Sequence, residues 1–218
     1  MVIREVGSEP VGKAADTRES ILKAAEQVLK ERGLAGCTTR AIAEAAGCAE
    51  GSIYRYFTDK HALFIEVVKR RFPTYFKLMI DLPDLAGTGD VHTHLEEVVK
   101  ASLAFYRAIL PMTAGAMADR ELLAQQRTHF HNTGTGPMRI IGSFGEFLRA
   151  EQKAGRISDR VSPDHLARMV LGTCFFQAYL EFFLGDDASF GPDDEFAEET
   201  VKSLIEELRP ARARKAAR

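Results

Sequence analysis

No stretch of this 218-residue chain is apolar for long enough to cross a bilayer. Its longest uncharged apolar run, Met169 to Leu180, has twelve residues, against the roughly 18 to 20 that a membrane-spanning helix needs. No signal-peptide pattern opens the chain. Cysteine is scarce: Cys37, Cys48 and Cys174 form no C-x-x-C pair and leave an odd number, which argues against a disulfide framework and for a reducing cytoplasm. No segment alternates polar and apolar residues over a useful length, as a half-buried strand does. Catalytic signatures are missing too. G-x-S-x-G, H-E-x-x-H and the phosphate loop do not occur, and Gly134, Thr135 and Gly136 make too short a run for a nucleotide fingerprint. His92 with His94, and His129 with His131, stand two apart, so on a helix each pair diverges by about 200° and cannot easily close on one metal. The expectation is an all-α cytoplasmic protein with no metal or cofactor and no enzymatic activity.

What is present is charge, unevenly divided. The formal net charge is −2. From Lys13 to Arg71 eleven Lys and Arg stand against eight Asp and Glu, a balance of +3; from Phe72 to Leu208 twelve stand against twenty-one, a balance of −9. A basic head on an acidic body fits an electrostatic footprint for nucleic acid. The length allows one or two domains with a core that needs no staples.

In chain order, residues 1–15 lack a sustained pattern and read as a flexible arm carrying Arg4 and Lys13, either a minor-groove reader or a terminus with no role. Asp16 with Glu19 caps a helix whose Ile21, Leu22, Ala25, Val28 and Leu29 make one apolar stripe, and Gly33 stops it. Asp59 caps a connecting helix over residues 61–82, with Leu63, Phe64, Val67 and Val68 inward. PDLAGTGD, from Pro83 to Asp90, is the clearest break. Beyond it the apolar periodicity predicts helices near His92 to Leu110, Ala118 to Phe130, Gly136 to Ala154, Pro163 to Leu184 and Asp193 to Leu208. The tail at 209–218, RPARARKAAR, is basic and lacks a core pattern; it either adds affinity for DNA or only solubilises the end.

The most informative stretch is Thr38 to Lys60, TTRAIAEAAGCAEGSIYRYFTDK. Ile42, Ala43 and Ala46 give a first short helix one small apolar face, and Gly47 closes it. Cys48, Ala49 and Glu50 make a turn of the length that joins a helix-turn-helix pair. In the second helix Ile53 and Phe57, four apart, share a buried face, which turns Gly51, Ser52 and Arg55 outward and sets Tyr54 and Tyr56 on the flanks. Small, hydroxylated and cationic groups suit a major groove, where phosphates accept from tyrosine and serine and arginine binds a guanine edge. Thr17 and Arg18, at the positive end of the preceding helix, are placed to meet a phosphate. Lys60, the wrong charge for a first turn, either meets a phosphate or is simply exposed.

On Thr38, Thr39, Ile42, Ala43, Ala46, Gly47, Gly51, Ser52, Ile53, Tyr54, Tyr56, Phe57, Lys60 and Leu63, with no insertion between them, the stretch resembles the TetR family of transcriptional repressors. The close resemblance covers about Thr17 to Phe72. It implies a helix-turn-helix DNA-binding domain at 16–60 and a helical effector-binding and dimerisation domain at 61–208. It also implies a dimer that reads a palindromic operator, and a small effector in the body. The DNA-binding set is Thr17, Arg18, Thr39, Arg40, Glu50, Gly51, Ser52, Tyr54, Arg55, Tyr56 and Lys60. Arg40, Glu50 and Arg55 are the candidates for base contacts.

Two features of the body bear on the rest. The helix from Pro163 to Leu184 is apolar nearly all round, too much for one-sided burial, and so is expected to be covered on several sides. With its successor it offers Leu166, Val170, Phe176, Phe183, Phe196, Val201, Leu204, Ile205 and Leu208 for a four-helix interface across a two-fold axis. Aromatic and methionine residues are also plentiful, and they fill ordinary cores as readily as they line ligand pockets. The resemblance favours some pocket for a largely apolar or aromatic effector, for which Phe105, Tyr106, Phe144, Phe147, Phe175 and Tyr179 are the candidate lining. Cys37 and Cys48 flank the reading head as oxidation sensors or as small buried hydrophobes.

Overall fold

The computed structural model describes residues 11–118, 120–185 and 190–208, with side chains for all of these except 11–15, 115, 116 and 204–208. Among the described residues there are ten α-helices, one 3-10 turn and no strand. Two compact units emerge: a head of residues up to Arg71 with Met112–His129, and a body of Phe72–Pro111 with residues from Phe130 onward. The head therefore reaches eleven residues past Lys60 and recruits a second, distant segment. The terminal arm through residue 10 and the basic tail at 209–218 lie outside the described residues.

In the head, α1 (Val11–Gly36), α2 (Thr39–Ala46), α3 (Glu50–Tyr56) and α4 (Lys60–Arg71) follow one another. Helix α1 begins at Val11, so Asp16 sits inside it and not at its cap; Lys13, Ala14 and Ala15 are good helix formers and carry the helix past the capping position. Gly33, at φ 65° and ψ −179°, interrupts it near the expected end. The stripe of Ile21, Leu22, Ala25, Val28 and Leu29 is buried together with Ile42, Ile53, Leu63, Phe64, Val67 and Val68. Short links fix the turns. The Thr38 hydroxyl accepts from the Ala41 N–H at 3.1 Å, and Gly47 takes the left-handed conformation (φ 66°, ψ 32°) that ends α2. The Asp59 carboxylate accepts from the Ala62 N–H at 2.7 Å and starts α4.

The connecting helix expected over 61–82 is two helices. Phe72 leaves helical geometry (φ −124°, ψ 50°) and α5 (Pro73–Asp81) begins at Pro73. Proline has no N–H to give and its ring clashes with the carbonyl four residues back, whereas it suits a first helical position. Conversely, the helix expected to end at Leu110 runs through Pro111, as α6 (Val91–Met117). One N–H bond is lost there, which a helix of 27 residues absorbs. The division between head and body falls at this proline.

After α7 (Arg120–Thr133), the body continues with α8 (Pro137–Lys153), α9 (Pro163–Leu184) and α10 (Asp193–Leu208). Its core gathers Tyr75 and Met79 of α5, Leu95, Val98 and Val99 of α6, Phe144, Phe147 and Leu148 of α8, and Leu166, Val170, Leu171 and Cys174 of α9. One carboxylate is fully buried beside this core. Glu151 accepts the Gly87 N–H at 2.8 Å. Its Oε2 lies 2.9 Å from Arg156 Nε, off the line of the N–H, so that contact is an ion pair without a hydrogen bond. Arg156 in turn donates to the carbonyls of Thr88 and Gly89 at 3.2 and 2.9 Å. The glycine-rich break is thus tied down from inside.

Helix α9 is covered on one side within the protomer. Leu166, Ala167, Val170, Leu171, Cys174 and Ala178 bury one face, while Met169, Phe176, Phe182, Phe183 and Leu184 on the other side remain exposed. Burial within the protomer is one-sided, although the sequence is apolar all round.

Candidate nucleic-acid interface

A seven-residue helix such as α3 has too few internal hydrogen bonds to persist alone, so its orientation comes from what it buries. Ile53 and Phe57 are that anchor, 0% and 4% exposed. They leave Gly51, Tyr54 and Arg55 on the surface, with Ser52 and Tyr56 half-buried at the flanks. Tyr54 is 56% exposed, unusual for so large a ring unless something covers it. A Cβ built at Gly51 would meet nothing within 4 Å, so no internal packing demands glycine there.

Several of the candidate side chains have partners that the sequence did not reveal. The Thr39 hydroxyl donates to the Glu50 carboxylate and joins the start of α2 to the start of α3. Arg40 pairs with Glu44 at 3.2 Å on the exposed side of α2. Arg18 donates to Glu66 at 3.2 Å and lies 5.2 Å above the Phe57 ring, bracing the anchor of α3. Thr17 is half-buried beside it. Lys60 donates to the Leu34 carbonyl at 3.1 Å. A cation on the terminal carbonyl of a neighbouring helix is favourable, and the contact occupies one of the three N–H groups of the ammonium.

The body candidates separate into three groups. Phe144 and Phe147 are fully buried, 6.5 Å apart between centroids, and belong to the core. Phe105, Tyr106 and Phe175 do come together: Tyr106 meets Phe105 and Phe175 edge-on, each at 5.5 Å. Tyr179 faces elsewhere, stacking with Phe176 at 6.4 Å and with Phe183 at 5.8 Å along exposed α9. Of the dimerisation set, Leu166, Val170 and Val201 are corrected to protomer core, since at 0 to 3% exposure a second copy cannot reach them. Phe196 is half-buried against that core. Phe176 and Phe183 are exposed. The side chains of Leu204, Ile205 and Leu208 lie outside those described.

Cysteine and histidine chemistry is accounted for by packing. Cys37 is buried, its thiol directed at the Ala25 carbonyl, and burial pushes its ionisation up, which disfavours the reactive thiolate. His129 lies 3.6 Å from Asp59 and 6.1 Å from the His61 ring. His131 is exposed. Among the described residues no three His, Cys, Asp or Glu side chains are grouped to hold a metal. Sequence reading missed Tyr75 and Ser102, two buried hydroxyls of the body without partners. The aromatic run around Pro73, FPTYF from Phe72 to Phe76, was the available signal for the first.

The head is that of a helix-turn-helix protein: three helices bracing a short exposed fourth element through a glycine-closed turn. The pattern described as bacterial regulatory proteins, tetR family, matches residues 21–67. The HTH-type transcriptional repressor BepR of Brucella suis biovar 1 is 39% identical over 95 residues, 43% of this chain and 44% of that protein. The repressor AcnR of Corynebacterium diphtheriae is 29% identical over 196 residues, 87% of this chain and 90% of that protein. A crystal structure of a TetR-family regulator from Mesorhizobium loti shares the fold, with a TM-score of 0.69 at 18% identity over 91% of this chain and 99% of that one. Over residues 21–67 the chain carries the pattern of the TetR family of bacterial regulatory proteins.

Proposed function

We propose that this protein is a cytoplasmic transcriptional repressor that binds a palindromic operator as a homodimer and is released by a small, largely apolar effector held in the body. The observation that carries the reading is α3: Ile53 and Phe57 are consumed by packing, while Tyr54, Arg55 and Gly51 stand outward. Gly51, which packing does not require, lets the backbone approach a groove. Two relatives being named repressors supports the sign of regulation, and an activator remains the second reading, because that sign depends on where the operator lies.

A dimer is supported by the uncovered face of α9, where Phe176, Tyr179 and Phe183 stack in sequence on the surface. An apolar patch of that kind marks an interaction site, and paired heads in successive major grooves would read the two halves of a palindrome. Effector control then follows from linkage. A ligand that prefers the body conformation with splayed heads lowers operator affinity by the same factor, about 5- to 150-fold for a coupling of 1 to 3 kcal/mol.

The test is selection of sheared genomic DNA by the purified protein at near-physiological salt, followed by sequencing, so that counterion-driven binding does not dominate. Enrichment of one or a few palindromes is expected. Uniform or absent enrichment would sink the specific-regulator reading.

A further inference from the structure

Two hydroxyls in the body are buried without a partner. Tyr75 of α5 and Ser102 of α6 are 4% and 0% exposed, and neither Tyr75 Oη nor Ser102 Oγ completes a hydrogen bond. Such groups are rare in folded proteins, because each forfeits the water it bonded in the unfolded chain. They are also neighbours. The Tyr75 hydroxyl lies near enough to those of Ser102 and Tyr106 to feel each as a hydrogen-bonding group, but neither contact gives Tyr75 or Ser102 the geometry of a completed bond. Three hydroxyls from two helices therefore converge on one place.

The surroundings of that place are aromatic and uncharged. Phe105 stacks on Tyr75 with centroids 4.3 Å apart and planes 10° from parallel, and Phe72 and Phe76 meet Phe105 edge-on at 5.2 and 5.8 Å. Phe72, Phe76, Phe105 and Tyr106 are only half-buried, so the cluster reaches the surface. The groups acting on the two tyrosines are Ser102, Cys174 and each other. Burial pushes the Tyr106 hydroxyl up to about 12 and that of Tyr75 further in the same direction, which keeps both neutral.

We propose that Tyr75, Ser102 and Tyr106 form the polar end of the effector site, and that the effector is a neutral aromatic molecule carrying a hydroxyl. This deepens, and rests on, the reading of the body as effector-binding. An anion would be desolvated there with no cation to compensate it. A bare hydrocarbon would leave the hydroxyls unpaired. A hydroxyl both donates and accepts, and its ring joins the offset and edge-on contacts that Phe105 already makes.

The experiment measures binding of β-naphthol, naphthalene and β-naphthoate to the full chain without DNA, by calorimetry, for the wild type, Tyr75→Phe and Ser102→Ala. β-Naphthol is expected to bind about 10-fold more tightly than naphthalene, with β-naphthoate weakest. Each substitution should erase most of that preference while leaving naphthalene affinity unchanged. Free Tyr75→Phe should also melt about 2 to 4 °C higher, since it loses an unpaired hydroxyl, and this shows that it folds. Equal binding of β-naphthol and naphthalene, tightest binding of β-naphthoate, no binding of β-naphthol, or an unaltered preference in Tyr75→Phe would overturn the assignment. Failure of genomic selection with the naphthol preference intact would defeat the regulator reading alone; recovered palindromes without that preference would defeat this assignment alone.

Discussion

Head and body are both helical, yet they are held together differently. In the head, aliphatic residues from four helices form the core, and the cross-links lie at its rim: Arg70 donates twice to Glu19 at 2.6 Å, Arg71 meets Glu26 at 3.3 Å, and Arg18 meets Glu66 at 3.2 Å. In the body Phe72, Phe76, Phe105, Tyr106 and Phe196 pack half-buried against a core of aliphatic residues with Tyr75, Phe144 and Phe147, and Glu151 and Ser102 are completely buried. Rim contacts are cheap to alter because water replaces them, whereas a buried polar group whose partner is removed has no substitute. The head can thus vary its outward residues with little risk to folding. The body cannot vary its inward ones so freely, and its unpaired hydroxyls stand out for that reason.

The contrast breaks most sharply at Phe147. If it is core, Phe147→Ala should cost about 3 to 5 kcal/mol, which at about 2 to 4 °C per kcal/mol for a chain of this size lowers Tm by roughly 10 °C. A fall of only a degree or two would return Phe147 to the effector lining. Next comes Glu151→Ala, which strands the Gly87 N–H while the Arg156 guanidinium keeps the Thr88 and Gly89 carbonyls, and is expected to cost about 2 kcal/mol in a urea melt. Glu151→Gln keeps the acceptor for Gly87 and should lose less. Equal midpoints for the two variants would show that the charge on Arg156 is what matters.

The same contrast explains how much of the protein could be read from its sequence. The head was legible because its signals are local: Thr38, Gly47 and Asp59 act within three or four residues of themselves, and Ile53 with Phe57 declare their face by spacing alone. Lys60 was not, since its partner, the Leu34 carbonyl, is 26 residues away. In the body the helices themselves were visible in the periodicity, but the choice between core and pocket was not. Phe144 and Phe105 are the same residue type, each on a long helix of the body, and tertiary packing buries the first and leaves the second at the edge. Tyr75 shows the same limit. Nothing in its neighbourhood in sequence tells that its hydroxyl ends unpaired beside Ser102.

On the head, the sharpest comparison is between two adjacent residues of α3. Tyr54→Ala removes an exposed ring and should leave Tm within about 1 °C, because surface changes away from packing lie within roughly 0.5 kcal/mol. Operator affinity, measured on a palindrome recovered by genomic selection, should drop about 10-fold, or about 1.4 kcal/mol. Ile53→Ala, one residue earlier, should lower Tm first and affinity only as a consequence. Loss of Tm in Tyr54→Ala would place the ring in the core and overturn the face assignment.

The smallest effect belongs to a rim contact on the body, where pH supplies the readout. Arg107 donates to Glu181 at 2.8 Å and to Asp193 at 2.6 Å, joining α6, α9 and the start of α10. The guanidinium holds the Glu181 carboxyl below its ordinary value of 4.5. A carboxyl depressed in the folded state stabilises it fully above the unfolded value, and that contribution is lost as pH falls through the folded one. Arg107 is about a third exposed, so solvent screens the pair and Arg107→Gln should cost about 1 kcal/mol at neutral pH. The gap in Tm between wild type and Arg107→Gln should then stay constant from neutrality down to about pH 5 and close below it. A gap that persists undiminished into acid would mean that the guanidinium acts through packing and not through its charge.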